Sequence, residues 1–218
     1  MDLNFGVIGR IHQAMVFGRR AAALSEHLAL LLPNGATVLD IGCGEGTLAA
    51  SLMERRPDVK ISGVDVLVRP HSRIPVRAFD GTHLPFGDKT FDVALLVDVL
   101  HHTDDPVVML READRVARRH VVLKDHALRG LAARPTLIAM DWVGNAHAGV
   151  RLPYNYWTPE QWTDAFDVLG LTVEQHIDRL DMYPRPARWL FDRRLHFIAV
   201  LSKRQRTERA ISPAQRDP

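Results

Sequence analysis

The pattern that most restricts the fold of this chain is a regular alternation of short apolar runs with stretches of helical periodicity. The apolar runs are rich in β-branched residues and nearly continuous in apolarity, as in strands that are covered on both faces. Helix-like segments separate most of these runs, which is typical of parallel strands joined by crossover helices. The alternation therefore predicts an α/β, doubly wound fold with a mostly parallel, seven-stranded sheet. The predicted strands lie at 37–42, 59–66, 76–81, 91–100, 120–126, 171–177 and 195–203.

The chain of 218 residues is long enough to bury one apolar core and fits a single domain, which we assign to residues 1–201. An insert at 126–158 separates the fifth predicted strand from the next predicted helix and is expected to form a cap. Residues 202–218 carry five Lys/Arg against two Asp/Glu and show no periodicity, so we expect a mobile basic tail. A bare basic tail is weak evidence for nucleic-acid binding, and no nucleic-acid partner is predicted.

The expected compartment is the cytoplasm. A lone cysteine, Cys43, excludes an intramolecular disulfide and favours a reducing environment. The N-terminus has no signal-peptide pattern, and no apolar run approaches the roughly 20 residues that span a bilayer. The oligomeric state is left open by the sequence.

Acidic and histidine residues follow the carboxyl ends of the predicted strands. Ligands of open α/β sheets bind at these ends, near the point where the strand order reverses. The sequence therefore places a site at this edge of the sheet. The residues concerned are Asp40, Asp65, Asp80, Asp98 with His101 and His102, and Lys124 with Asp125 and His126.

The glycine-rich junction between the first strand and the next helix reads VLDIGCGEGTLAA. A dinucleotide fingerprint counted from Gly42 needs a third glycine where this chain has Thr47. Asp40, two residues before Gly42, would also repel a pyrophosphate but attract an ammonium group. The junction thus favours a ligand with a zwitterionic amino-acid end over a nicotinamide dinucleotide.

Four motifs in order resemble those of class I S-adenosylmethionine (SAM)-dependent methyltransferases. They are VLDIGCGEG, GVDV and the two motifs within FDGTHLPFGDKTFDVALLVDVLHHTDDP, which are similar to the methyltransferase-11 group that includes ubiquinone and menaquinone methyltransferases. The resemblance covers Thr37 to about Lys124. It implies a Rossmann-like methyltransferase fold, SAM as the cofactor, and a helix within residues 1–32 that closes over the cofactor as a lid.

The resemblance also implies a set of cofactor contacts. The three loop glycines, Gly42, Gly44 and Gly46, let the backbone approach the methionine moiety, while Asp40 faces its ammonium group. Asp65 accepts from the ribose hydroxyls, and a neighbouring apolar side chain packs on the adenine. The remaining predicted contacts are Val66 or Leu67 for the adenine face, Asp80 and the Gly81 N–H for the adenine edge, and either the Val97 carbonyl or the Asp98 carboxylate for the methionine ammonium.

The predicted acid–base residues are His126 and Asp125, because histidine suits proton transfer at neutral pH and both follow the fifth strand. The pair His101–His102 is expected to line the cofactor pocket. We expect no metal, because adjacent histidines do not easily converge on one ion.

The insert concentrates aromatic residues among polar ones, a composition that suits an acceptor pocket. We expect it to face a small, apolar or aromatic acceptor that is methylated on oxygen or carbon. The alternatives are a regulatory, non-catalytic cofactor-binding protein, a nicotinamide-dependent oxidoreductase and an RNA methyltransferase. The predicted substrate-facing residues are Trp142, Asn145, His147, Tyr154 and Tyr156.

Overall fold

A computed structural model of the chain describes residues 19–145, 152–183, 189, 191 and 193–204. Within these residues, seven strands form one sheet in the order β3-β2-β1-β4-β5-β7-β6. Neighbouring strands are parallel except that β7 runs antiparallel to both β5 and β6, which confirms the predicted doubly wound, mostly parallel sheet. The strands are β1 Thr37–Ile41, β2 Lys60–Asp65, β3 Val76–Ala78, β4 Phe91–Val97, β5 Ala117–His126, β6 Leu171–Ile177 and β7 His196–Lys203.

Helices cover both faces of this sheet. Residues 19–31 are helical and are called α1. The others are α2 Thr47–Arg55, α3 Pro106–Val116, α4 Ala133–Asn145 and α5 Pro159–Val168, with a 3-10 helix at Leu100–His102.

Local sequence signals set the starts of two of these helices. Asp105 accepts hydrogen bonds from the Val107 and Val108 amides at the start of α3, and a capping box between Thr158 and Gln161 starts α5. By contrast, the cap position of α2 is a glycine without a side-chain hydrogen bond. Its first N–H groups therefore have no side-chain cap.

Two apolar clusters form the core, one on each face of the sheet. Met109 of α3 and Trp162 of α5 belong to the first cluster, whereas Leu28 of α1 and Leu52 of α2 belong to the second. Successive residues of one strand alternate between the clusters, as the pleat requires, so that β1 and β4 are buried on both sides.

The order of the strands reverses at β1, which has β2 on one side and β4 on the other. The loops after β1 and β4 therefore diverge to opposite faces and leave a crevice between them. The fourth strand ends earlier than predicted, at Val97, because Asp98 adopts a left-handed φ of 57° that strands do not accommodate.

Other details also differ from the sequence expectations. β3 ends at Ala78 instead of residue 81, and β5 begins at Ala117 instead of residue 120. The insert contains the helix α4, which was not predicted. Ser202 and Lys203, which were placed both in the last predicted strand and in the tail, lie in β7; residues 205–218 lie outside the described residues, as do 1–18 of the lid segment.

Gly63→Ala should destabilise the fold by about 1–3 kcal/mol, because a Cβ at this position of β2 would lie 2.3 Å from Cys43 Sγ and 2.9 Å from Cys43 Cβ. Urea denaturation measures the loss. Gly87→Ala is the matched control, since its Cβ would meet no atom closer than 3.7 Å. Equal stability of the two variants would contradict the tight packing of the loop on β2.

Candidate active site

The glycine loop after β1 is tied to β2 and open on its other side. The Gly42 and Cys43 amides both donate to the Val64 carbonyl, at 2.8 and 3.2 Å. A Cβ on Gly42 would lie 2.7 Å from Val99, whereas a Cβ on Gly44 would meet nothing within 4 Å. Packing therefore requires glycine at the first position, and the backbone at the second faces open space. Gly44 has a φ of 56°, which other residues rarely adopt.

Asp65 connects this loop to the end of β2. One of its carboxylate oxygens accepts from the Gly44 amide and the other from the Leu67 amide, each at 2.8 Å. Val66 beside it is 63% exposed, which leaves its side chain available to a planar ligand. The loop and the acidic residue therefore form one structural unit.

Asp80 lies close to this unit, because the Phe79 amide donates to the Asp65 carbonyl at 3.3 Å. Its Oδ1 accepts from the Thr82 and His83 amides, both at 2.7 Å, and these bonds lower the pKa of the carboxyl. Asp80 thus stabilises a turn that contains Gly81, whose φ is 86°.

Asp40 is buried beneath the loop, with 3% of its surface exposed. Burial, together with the negative charge of Asp65, raises the pKa of Asp40 to about 7. The same burial and the two neighbouring carboxylates raise the pKa of the Cys43 thiol to about 12, so Cys43 is not a nucleophile at neutral pH.

A buried ion pair occupies the ends of β4 and β5. The fully buried Lys124 ammonium contacts the Asp98 carboxylate, and the Asp98 amide donates to the Lys124 carbonyl at 2.9 Å. Arg20 of α1 adds a second cation, 3.6 Å from Asp98 Oδ2. Burial opposes ionisation of Asp98, but the nearby cations outweigh it and hold the pKa of this carboxyl below its usual value.

Asp125, at the end of β5, joins two histidines. Its fully buried carboxylate lies 2.6 Å from His101 Nδ1 and accepts from the Leu100 amide at 3.0 Å and the His126 amide at 2.7 Å. The ring of His126 is close as well, with its Nδ1 3.3 Å from Asp125 Oδ1 and 3.2 Å from His101 Nδ1. Asp125 thereby fixes the orientation of His101 and the start of the 3-10 helix.

The two histidines differ in basicity. Burial lowers the pKa of His101, but the charge and hydrogen bond of Asp125 outweigh this effect and raise it overall. Burial lowers the pKa of His126, and the neighbouring His101 and Lys124 lower it further. His101 is therefore the stronger base of the pair.

The insert contributes a second carboxylate to this cluster. Asp141 of α4 accepts from the Tyr156 hydroxyl, and both side chains are buried. Asp141 Oδ2 lies 3.4 Å from His101 Nε2, a ring nitrogen that has no hydrogen-bond partner. The His101 ring is thus placed between two carboxylates from different parts of the chain.

A cavity of about 220 Å³ opens beside this cluster. Apolar side chains from α1, α2 and α4 form part of its wall, including Leu24, Leu48 and Met140. A slightly larger cavity of about 250 Å³ lies between α5, β6 and β7. We assign function to the smaller one, because it contacts the first turn of α2 after the glycine loop. The polar groups that line it are Arg20, Asp98, His101, His102, His126 and Asp141.

The predicted site residues differ in where they lie relative to the cavity. His126 lines the cavity, whereas Asp125 lies behind it and acts on the histidines. Tyr156 is buried against Asp141, but Trp142 is 62% exposed and does not line the cavity. The side chain of Asn145 and all of His147 lie outside the described residues, and Tyr154 is half-buried beside Tyr156.

Sequence reasoning missed two features of the cluster, the contact of His101 with Asp125 and the presence of Asp141. The sequence did carry a signal for His101. This residue follows the end of β4, Asp125 lies near the end of β5, and the parallel pairing of the two strands places Val97 beside Lys124. No comparable signal identified Asp141, which comes from an unpredicted helix.

Comparison with known proteins identifies the family. A family described as a methyltransferase domain matches residues 13–176. The 27-O-demethylrifamycin SV methyltransferase of Amycolatopsis mediterranei is 34% identical over 110 residues, 44% of this chain and 40% of that protein. A tRNA U34 carboxymethyltransferase of Nautilia profundicola is 33% identical over 86 residues, 34% of this chain and 28% of that protein. The matched segments thus span well under half of these relatives.

A solved structure shows the same fold. The SAM-dependent methyltransferase from Mesorhizobium loti superimposes with a TM-score of 0.61 at 18% identity, covering 82% of this chain and 96% of that one. The chain therefore belongs to the methyltransferase domain family, among the class I SAM-dependent methyltransferases, and SAM is the cofactor of this class.

The residues present fit this cofactor. The open face at Gly44 and the first turn of α2, which has no side-chain cap and no acidic residue, suit a carboxylate-bearing ligand. Among the described residues, no helix combines the length and apolarity needed to cross a membrane.

Asp40→Asn should change how stability depends on pH. The unfolded chain releases the Asp40 proton near pH 4, whereas the folded protein retains it until about pH 7. Rising pH therefore favours unfolding across this window, and wild type should lose roughly 4 kcal/mol relative to Asp40→Asn, with little further change above it. Urea titrations from pH 4 to 8 measure the difference. A stability difference that is constant over this range would refute the raised pKa.

Proposed function

We propose that this protein transfers a methyl group from SAM to an oxygen atom of a small, mainly apolar acceptor bound in the 220 Å³ cavity. One observation carries the proposal: a single cavity contacts both the first turn of α2, through Leu48, and the His101 ring that Asp125 orients. The donor end and a proton acceptor therefore meet in one space that is partly walled by apolar side chains.

The cofactor contacts implied by the sequence remain part of this proposal. The methionine carboxylate binds the uncapped N-terminus of α2, and the ribose hydroxyls bind Asp65. Val66 packs on the adenine, and Asp80 with the Gly81 N–H binds its edge. The proposed set is Asp40, Gly42, Gly44, Gly46, Asp65, Val66, Asp80, Gly81 and Val97.

Asp98 is the weaker of the two alternatives for the methionine ammonium. Its carboxylate already contacts Lys124 and Arg20, so its charge is offset. The Val97 carbonyl has no such competing cation, and we assign the contact to it. Asp40, whose ionisation a bound ammonium would favour, supplies the negative charge nearby.

The bound cofactor supplies a methyl group on an already activated sulfonium. The protein therefore has to align the acceptor, exclude water and remove a proton. His101 accepts that proton at Nε2, the nitrogen without a hydrogen-bond partner, while Asp125 holds Nδ1 and stabilises the resulting imidazolium. His126 lines the same cavity as a second, less basic histidine.

Several points favour oxygen and a small acceptor. A base oriented by a carboxylate is useful where a hydroxyl must lose its proton, and one relative is named as an O-methyltransferase for a rifamycin. The apolar part of the cavity wall, formed by Leu24, Leu48 and Met140, suits such acceptors. Tyr154 and Trp142 of the cap are proposed to contact the part of the acceptor outside the cavity.

Asp65→Asn should weaken binding of S-adenosylhomocysteine, the demethylated cofactor, by about 1.5–3 kcal/mol, roughly 10- to 150-fold in Kd, because a charged acceptor of hydrogen bonds is lost. Isothermal calorimetry measures the affinity. Asp88→Asn, at a carboxylate that is 76% exposed, is the matched control and should bind normally. An unchanged Kd for Asp65→Asn would remove its assigned role.

His101→Gln should lower the turnover of a hydroxyl-bearing acceptor by roughly 10²- to 10⁴-fold while cofactor affinity stays unchanged. Formation of S-adenosylhomocysteine on a panel of phenolic and polyketide acceptors measures turnover, and calorimetry verifies that the variant is folded. His120→Gln, at a half-buried histidine in the first half of β5 and outside the cavity lining, should behave as wild type.

The same assay separates the acceptor classes. Methylation of total tRNA without turnover of any small acceptor would overturn the small-molecule proposal. This comparison is necessary because one relative is named as a tRNA-modifying enzyme. Cofactor binding without turnover of either class would instead support a regulatory, non-catalytic protein.

A further inference from the structure

The side chains of His101, His102 and Asp141 converge at the cavity wall, and two of their nitrogen atoms have no hydrogen-bond partner. His101 Nε2 and His102 Nδ1 are buried and have no hydrogen-bond partner. One ligand atom from each of His101, His102 and Asp141 lies within 4.8 Å of the others. Buried nitrogen lone pairs that find no donor are costly, so their convergence on a carboxylate requires an explanation.

The spacing of two of these atoms matches a metal coordination sphere. Zn²⁺ binds histidine nitrogen and carboxylate oxygen at about 2.0–2.2 Å in a tetrahedral arrangement, which separates two ligand atoms by roughly 3.3–3.5 Å. His101 Nε2 and Asp141 Oδ2 are 3.4 Å apart. Although His101 and His102 are adjacent in the chain, one ligand nitrogen of each lies within 4.8 Å of the other. Their ring centroids are 4.1 Å apart and the ring planes are tilted by 46°.

His101 and Asp141 each have a hydrogen-bonding partner behind them, as metal ligands in proteins usually do. Asp125 lies 2.6 Å from His101 Nδ1, and a hydrogen there leaves the lone pair on Nε2. The Tyr156 hydroxyl donates to Asp141 and fixes its carboxylate. A carboxylate behind a ligating histidine is the common arrangement around protein-bound zinc.

The local charge favours a cation at the group of His101, His102 and Asp141 and disfavours one at a neighbouring convergent group. Asp98, His101 and His126 form a second convergent group, but the Lys124 ammonium already contacts Asp98 and would repel an ion there. Asp125 and Asp141 are carboxylates in contact with His101, and together they match the charge of a divalent ion.

We propose that His101 Nε2, His102 Nδ1 and the Asp141 carboxylate bind a divalent transition metal of the zinc type, with a fourth position open to the cavity. Nitrogen and carboxylate ligands in this number suit Zn²⁺ and exclude Mg²⁺ and Ca²⁺, which prefer oxygen alone. The ion takes the lone pair that His101 needs as a base.

The test is a calorimetric titration of Zn²⁺ into chelator-treated protein loaded with S-adenosylhomocysteine, which needs no acceptor. Wild type should bind one ion. Asp141→Asn, which keeps the hydrogen bond to Tyr156, and His102→Gln should each weaken binding at least tenfold. Asp125→Asn should weaken it by roughly 10- to 100-fold, as for other supporting residues. His120→Gln, outside the cavity lining, is the control and should bind as wild type.

Co²⁺ in place of Zn²⁺ gives a second measurement, because its visible absorption reports nitrogen ligands. The spectrum should appear with wild type and be lost with Asp141→Asn. Variants that still bind S-adenosylhomocysteine but retain full Zn²⁺ affinity would overturn the site, as would wild type that binds the cofactor product and no Zn²⁺. Neither result bears on methyl transfer, whose failure the acceptor assay shows separately.

Discussion

The buried carboxylate of Asp125 is the constraint on which the rest of the site depends. A fully buried charge is expensive unless it is paired and hydrogen-bonded, and Asp125 is satisfied by the Leu100 and His126 amides and by the His101 ring. These partners come from the ends of two adjacent strands, β4 and β5. The position of His101 is therefore a condition for burying Asp125, and the base and its orienting group cannot move independently.

Much of the fold could be predicted, and the donor side of the site could be proposed, because their signals are local. The strands are continuous apolar runs, and the glycines and Asp65 lie within one strand–loop–helix unit whose spacing is visible in the sequence. The acceptor side could not be derived in this way. His101, Asp125 and Asp141 come from three separate segments, and only the pairing of β4 with β5 and the packing of α4 bring them together.

Burial decides the environment in which each predicted residue lies. Asp98, a candidate for the methionine ammonium, contacts the fully buried Lys124, which needs a counterion. Trp142, predicted to face the substrate, has a largely exposed indole, whereas its neighbour Asp141 is buried. Such competition between neighbouring groups depends on three-dimensional packing and leaves no mark on spacing or periodicity.

The helix α4 has a consequence for how such a protein can change over time. It is inserted between β5 and α5, so its replacement leaves the pairing of the sheet strands and the glycine loop intact. The residues from β1 to β4 are thus constrained by the proposed donor site, and the inserted segment is constrained by the proposed acceptor site. A lineage that exchanges Asp141 and Tyr156 with the surrounding wall would change the proposed acceptor site while keeping the loop that is proposed to hold the methyl donor.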